Sequence, residues 1–149
     1  QYALDMTQCL NEMGRVLSPN GAAVLTVGRT SNVLGVPFRN SEIIAQLVSG
    51  GHLFRIQSTA SRSFVNRYGE AIYEDILILR KKSSEPLKME GARNVAKETL
   101  ADAIRRYGSS QGGMLNQALD ALQAVQPSPL VSVSVPTAFK SIAAEVGKL

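Results

Sequence analysis

Two short stretches carry side chains suited to recognising a charged or aromatic ligand. In GRTSN, residues 28–32, Arg29, Ser31 and Asn32 follow an apolar run and could reach a phosphate or a base edge from a loop. In RSFVNRYGE, residues 62–70, Arg62, Asn66, Arg67 and Tyr68 place two cations, an amide and a ring within one predicted hairpin. Cations meet phosphates, while a ring and an amide can stack on and hydrogen-bond a base, so this mixture suits a nucleic acid. Each stretch also has a plainer reading. Arg29 and Asn32 could be solvated loop residues, and the second stretch could be a tight turn in which Asn and Gly serve the backbone and Tyr68 is half-buried.

Other reactive residue types are sparse. The single cysteine, Cys9, excludes an internal disulfide, and with one histidine, His52, no His/Cys zinc cluster can form within the chain. Cys9 falls on an apolar helix face and reads as a small buried hydrophobe, and His52, beside Gly50 and Gly51, reads as a surface imidazole near a turn. Glu74 and Asp75 are neighbours in a predicted strand and point to opposite faces, so they are expected to be a surface charge and an edge-protecting one, not a catalytic pair. Arg105-Arg106 and Arg80-Lys81-Lys82 are the densest basic points, read here as solvated faces. The composition, 44% hydrophobic and 19% charged over 149 residues, supports one domain with a real core and excludes disorder throughout. A net charge of +4 suits contact with a polyanion, whereas the absence of tryptophan leaves little material for an aromatic stacking surface. No apolar run reaches the roughly 20 residues of a membrane helix, and a lone cysteine fits a reducing cytoplasm. The chain starts inside a helical pattern on a residue other than methionine, so further sequence is expected before it.

The elements that must position these residues follow two grammars. Leu4, Met6, Cys9, Leu10, Met13, Val16 and Leu17 recur at helical spacing, and Pro19-Asn20-Gly21 ends that helix in a turn where Asn20-Gly21 supplies positive φ. AAVLTVG then reads as a strand buried on both faces, one arm of a right-handed crossover. A polar loop, RTSNVLGVPFRN, leads to a helix capped by Ser41 and ended by Gly50-Gly51. HLFRIQSTASRSF and IYEDILILRKK form an antiparallel pair at a sheet edge. Beyond a boundary near Ser83 and Ser84 the chain is helical: two helices joined by a flexible GSSQGG, a proline-bounded linker or short strand, QPSPLVSVSVP, and a last helix capped by Thr137.

Helix, Arg15-Val16-Leu17-Ser18-Pro19-Asn20-Gly21, strand, helix and antiparallel pair resembles the carboxyl half of class I S-adenosylmethionine-dependent methyltransferases, which commonly carry a segment close to RVLKPGG at this turn. The resemblance covers about Tyr2 to Lys82 and is strongest to the amino-methylating DNA methyltransferases and related RNA enzymes. It implies a Rossmann-like α/β sheet over residues 1–82 with a helical extension over 83–149, and S-adenosylmethionine as cofactor. It also implies DNA or RNA as partner, and a ligand crevice at the loop holding Arg29, Ser31 and Asn32, with the 62–68 hairpin beside a flipped base. Three family features are absent: the glycine-rich cofactor loop, the acidic ribose ligand and the Asp/Asn-Pro-Pro-aromatic motif. The implied cofactor is therefore bound mainly by an amino-terminal half outside this sequence, and the chain alone is expected to be inactive. The alternatives are a tRNA or small-molecule methyltransferase on the same fold, or a non-catalytic assembly subunit with half the fold. A homo-oligomer and the role of the extension are left open.

Overall fold

The computed structural model describes residues 1–130. Helix α1 spans Tyr2–Val16, and strands β1, β2 and β3 span Ala22–Gly28, Thr30–Val33 and Val36–Arg39. Helix α2 is Asn40–Ser49, strands β4 and β5 are Phe54–Val65 and Ala71–Lys81, and α3 is Met89–Asp120, followed by one 3₁₀ turn over Ala121–Gln123. The result is an α/β architecture with a small antiparallel sheet and a carboxyl-terminal helix. The expected helix from Thr137 and most of the proline-bounded linker lie outside the described residues.

The main sheet has the order β1-β5-β4, and β5 is antiparallel to both neighbours. β1 and β4 therefore run in the same direction with β5 between them, so no two neighbouring strands are parallel, and the connection through α2 steps over a strand position. Apolar residues of one sheet face, Leu25, Val27, Phe54, Ile56, Leu77 and Leu79, pack with Leu4 and Leu10 of α1 and Ile44, Leu47 and Val48 of α2. Leu87, Ala92 and Val95, from the approach to α3 and its first turns, belong to the same core.

All of these helices lie on one face. This corrects the expectation that β1 is buried on both sides: its residues alternate between exposed and half-buried, and Val24 is 62% exposed. An edge strand covered on a single face needs only every second side chain to be shielded. Cys9 is likewise exposed and not buried as its helical spacing suggested, because the buried stripe of α1 runs through Ala3, Leu4, Thr7, Leu10 and Gly14.

Two local details also differ from expectation. Gly21 N–H donates to the Ser18 carbonyl at 2.9 Å, closing a turn with Pro19 second and Asn20 third. The positive φ, 60°, falls on Asn20 alone, as a turn of type II requires at that position. Gly21 is needed for space, since a Cβ there would sit 2.8 Å from the Ser18 carbonyl oxygen. The stretch 30–39, expected as a loop, is a hairpin of β2 and β3, whose two turn residues Leu34 and Gly35 have φ of 52° and 87°. Positive φ at both central positions is the pattern of a type I′ turn, whose twist matches that of paired strands.

Helix α3 cannot be straight. Arg93 Nη1 donates to the Leu122 carbonyl at 2.7 Å, although 29 residues of straight helix would put them about 43 Å apart. Ala103 and Leu115 also bury together against Val36, with Tyr107 and Met114 alongside, so the reversal falls in Gly108–Gly113. GSSQGG thus joins two helical arms as expected, but as a bend within continuously helical backbone. The chain then returns to α1, where the Asp5 carboxylate accepts from Ser128 N–H at 2.7 Å and Ser128 Oγ at 3.0 Å.

Gly21→Val is expected to destabilise the fold by roughly 1–3 kcal/mol through overpacking, and Asn20→Val by a similar amount through backbone strain, while Asn20→Gly is close to neutral. Urea unfolding of the three variants checks this; a neutral Gly21→Val would refute the close approach to Ser18.

Candidate functional site

β1 ends at Gly28, and the chain crosses the end of the sheet into the β2–β3 hairpin before entering α2. That crossing is held by Asp75, which faces the helices from the central strand. Its Oδ1 accepts from Arg29 Nε at 3.1 Å and Ser61 Oγ at 2.7 Å, and its Oδ2 accepts from Ser41 Oγ at 2.7 Å. The hydrogen bonds from Ser41 and Ser61, followed by Arg29, hold the Asp75 carboxyl below the usual carboxylate range. Arg29 also lies over the Tyr73 ring, 5.1 Å from its centroid, and its N–H donates to the Tyr73 carbonyl.

A second set of bonds fixes the loop backbone. Asn40 Nδ2 donates to the Gly28 carbonyl at 2.8 Å and to Ser31 Oγ at 2.9 Å, and Asn32 Oδ1 accepts from Gly35 N–H at 2.8 Å. Arg29, Ser31 and Asn32 are therefore brought together, each already engaged with the protein. The crossing is a braced corner, with the planar edge of Arg29 held against Asp75 and Tyr73. Ser41 does not cap α2 as expected. Arg39 occupies the capping position without a side-chain bond, and Ser41 turns to Asp75 instead.

Outward from the Ser61 and Asp75 pair, β4 and β5 continue as a two-stranded arm, paired through Arg62 with Glu74 and Phe64 with Ile72 to Val65 with Ala71. The arm is too narrow to bury either face, and Phe64, Val65 and Tyr73 are exposed. Its tip is a self-contained turn. Gly69 N–H donates to the Asn66 carbonyl, Gly69 has φ of 82°, and Asn66 Oδ1 accepts from the N–H groups of Tyr68 and Glu70. Asn66 thus serves the backbone and is not free to read a base. Arg62 Nε is paired with Glu74 at 2.6 Å. Arg67 and Tyr68 remain at the tip: the guanidinium lies 4.7 Å from the ring centroid, its Nη2 bonds the phenol oxygen, and Tyr68 is 70% exposed rather than half-buried.

The contributions of Asp75, Ser41, Asn40 and Tyr73 were missed by sequence reasoning. Alternation alone placed Glu74 and Asp75 on opposite faces correctly, and Glu74 does pair on the outer face. It could not show that β5 is central, which puts Asp75 where three elements converge and not at an edge. Leu34 was also missed: a non-glycine residue with positive φ, 71% exposed at the tip of the β2–β3 hairpin. Among the described residues no group of three or more His, Cys, Asp or Glu could hold a metal ion, and no helix is long and apolar enough to cross a membrane. No family model, curated protein or solved structure matches the chain.

Two outcomes are expected. Because its folded pKa is lowered, Asp75 contributes stability that is fully present above the ordinary aspartate pKa near 4 and is lost as pH falls through the folded value. Asp75→Asn should flatten the acid limb of stability measured by urea unfolding between about pH 2 and pH 6; an unchanged limb would show that the carboxylate is not the hub. Leu34→Asn should raise stability by roughly 1 kcal/mol, because asparagine tolerates the left-handed region that leucine occupies at a cost. A lower melting temperature would mean that the exposed Leu34 side chain contributes packing.

Proposed function

We propose that this chain is the carboxyl portion of an S-adenosylmethionine-dependent methyltransferase acting on a base amino group in DNA, its Rossmann-like sheet completed by an amino-terminal half. The observation that carries the reading is the arm formed by β4 and β5. It grows directly from the braced corner at the carboxyl end of β1 and presents the Arg67 guanidinium and the Tyr68 ring beyond the core. A two-stranded ribbon of this kind fits the width of a DNA groove, with the cation directed to phosphates and the ring available to stack on an unpaired base.

The element order supports the same reading, since helix, strand, helix and antiparallel pair recur in the layout of that family. β1 bonds only β5 in the described sheet, and the face bearing Val24 is bare, which leaves an edge and a face where further strands and helices of a larger sheet would sit. The described residues do not themselves fit the cofactor. β1 leads into a hairpin rather than a glycine-rich turn opening a helix, and Asp75, the carboxylate at the corner, is already saturated by three donors. When bound, S-adenosylmethionine would supply an electrophilic methyl group, and the residues of this chain would hold and orient the nucleic acid.

Titration calorimetry of the isolated chain with S-adenosylmethionine is expected to show no binding in the micromolar range. In the full-length gene product, Arg67→Ala should weaken DNA binding across sequences and reduce the salt slope by about one phosphate contact. Tyr68→Ala should mainly lower methyl transfer to the base amino group. If affinity, salt slope and turnover were unchanged in both variants, the arm would be structural and the proposal would fail.

A further inference from the structure

At the end of the sheet remote from the braced corner, the outer face carries a shallow groove of about 510 Å³ lined by Asn20, Arg55, Gln57, Arg80, Lys81 and Lys82. Four of these six residues are cations and none is acidic. Arg55 and Arg80 are direct partners in the β4–β5 register, so two guanidinium groups project from the same face of adjacent strands. Like charges directly opposite each other destabilise an antiparallel pair, and among the described residues neither arginine has a carboxylate within 4.0 Å.

The groove is also rigidly built. The β4 register slips between Ile56 and Ser58, making Gln57 the extra residue of a bulge. Bulges re-aim a side chain, and here Gln57 Oε1 accepts from Arg80 Nε at 2.9 Å while Arg80 Nη1 donates to the Asn20 carbonyl at 2.8 Å. Asn20 is the positive-φ residue of the turn before β1. Two acceptors, one at the β4 bulge and one in the turn before β1, thus hold Arg80 in one orientation, with the Arg55 and Lys82 side chains exposed beside it. Lys81, largely buried, donates from Nζ to the Leu17 carbonyl at 2.8 Å and adds its charge beneath the groove.

We propose that this groove binds a phosphate group, with the Arg55 and Arg80 guanidinium groups gripping its oxygens and Lys82 closing the site. An anion between the two arginines would turn a repulsive pair into an attractive one, and the fixed guanidinium fork matches phosphate oxygens in a way that a scattered solvated face does not. The inference does not rest on the methyltransferase reading, because the groove lies at the opposite end of the sheet from Arg29 and Asp75 and involves no residue of the arm tip.

The test uses the 149-residue chain, a fluorescein-labelled 20-base-pair duplex and, separately, inorganic tripolyphosphate, at several salt concentrations. The double variant Arg55→Gln/Lys82→Gln leaves the Arg80 brackets in place, and Arg105→Gln/Arg106→Gln removes the same charge from α3 as a control. The expected result is at least a tenfold loss of duplex affinity for the groove variant, with a salt slope smaller by about two phosphate contacts and the control near wild type. Duplex binding far tighter than tripolyphosphate binding identifies a nucleic-acid backbone as the source of the phosphate. Comparable tripolyphosphate binding, lost in the groove variant, identifies a free phosphorylated ligand. Equal weakening in the control, or no change in the groove variant, overturns the proposal. Methyl transfer enters none of these readouts, so failure here is distinguishable from failure of the arm.

Discussion

The structure depends on β5 lying between two strands that run opposite to it. As the last strand in sequence and the middle one in space, β5 joins β1 to β4, and the β2–β3 hairpin and α2 lie between those two strands in the chain. Its inner face supplies Leu77 and Leu79 to the core, and one pleat further along it supplies Asp75 to the corner. Its outer face supplies Glu74 to Arg62 and, at the far end, Arg80 to the basic groove. A single strand therefore carries the hydrophobic anchor, the electrostatic hub and both polar features of the open face. Its contacts are predominantly long-range, which makes the topology costly in loop closure and slow to assemble relative to a helical chain of this size.

Elements whose periodicity is local were legible in the sequence. Leu4, Leu10 and their spacing predict α1, Ile43 to Val48 predict α2, and the long runs on either side of Asn66-Arg67-Tyr68-Gly69 predict the β4–β5 hairpin. Properties set by partners distant in sequence were not. The apolar run AAVLTVG reads as doubly buried, yet burial is decided by how many layers cover the strand, and only one does. Val33 and Val36 flank a type I′ turn whose second residue is glycine but whose first is leucine, a residue seldom found with positive φ, so the β2–β3 hairpin gave no turn signal. The serine taken for a helix cap, where its oxygen would accept from a backbone N–H, instead donates to a carboxylate 34 residues later in the chain.

The candidate site residues divide in the same way. Sequence chemistry singles out the polar stretches 28–32 and 62–70, but does not tell which of their side chains have spent their donors on the protein. Arg29, Ser31, Asn32, Arg62 and Asn66 all bond within the fold. Arg67 and Tyr68 bond chiefly to each other at the tip of the arm. Conversely, Arg80-Lys81-Lys82 reads as an ordinary solvated run because its significance comes from Arg55 in the opposing strand, a pairing fixed by the bulge at Gln57.

The glycine-containing bend of α3 has a dynamic consequence. Glycine lowers local helix stability and leaves backbone amides open to water, while the arms on either side are clamped, the first by the main core and both by the Arg93 bond to Leu122 and the cluster around Val36. Amide hydrogen exchange across α3 should therefore be non-uniform: amides of Gly108–Gly113 exchange first, and those of the two clamped arms later. The helix is continuous in its hydrogen bonding and divided in its stability, so the bend can open locally while Arg93 with Leu122, and Ala103 with Leu115 on Val36, keep the two arms together.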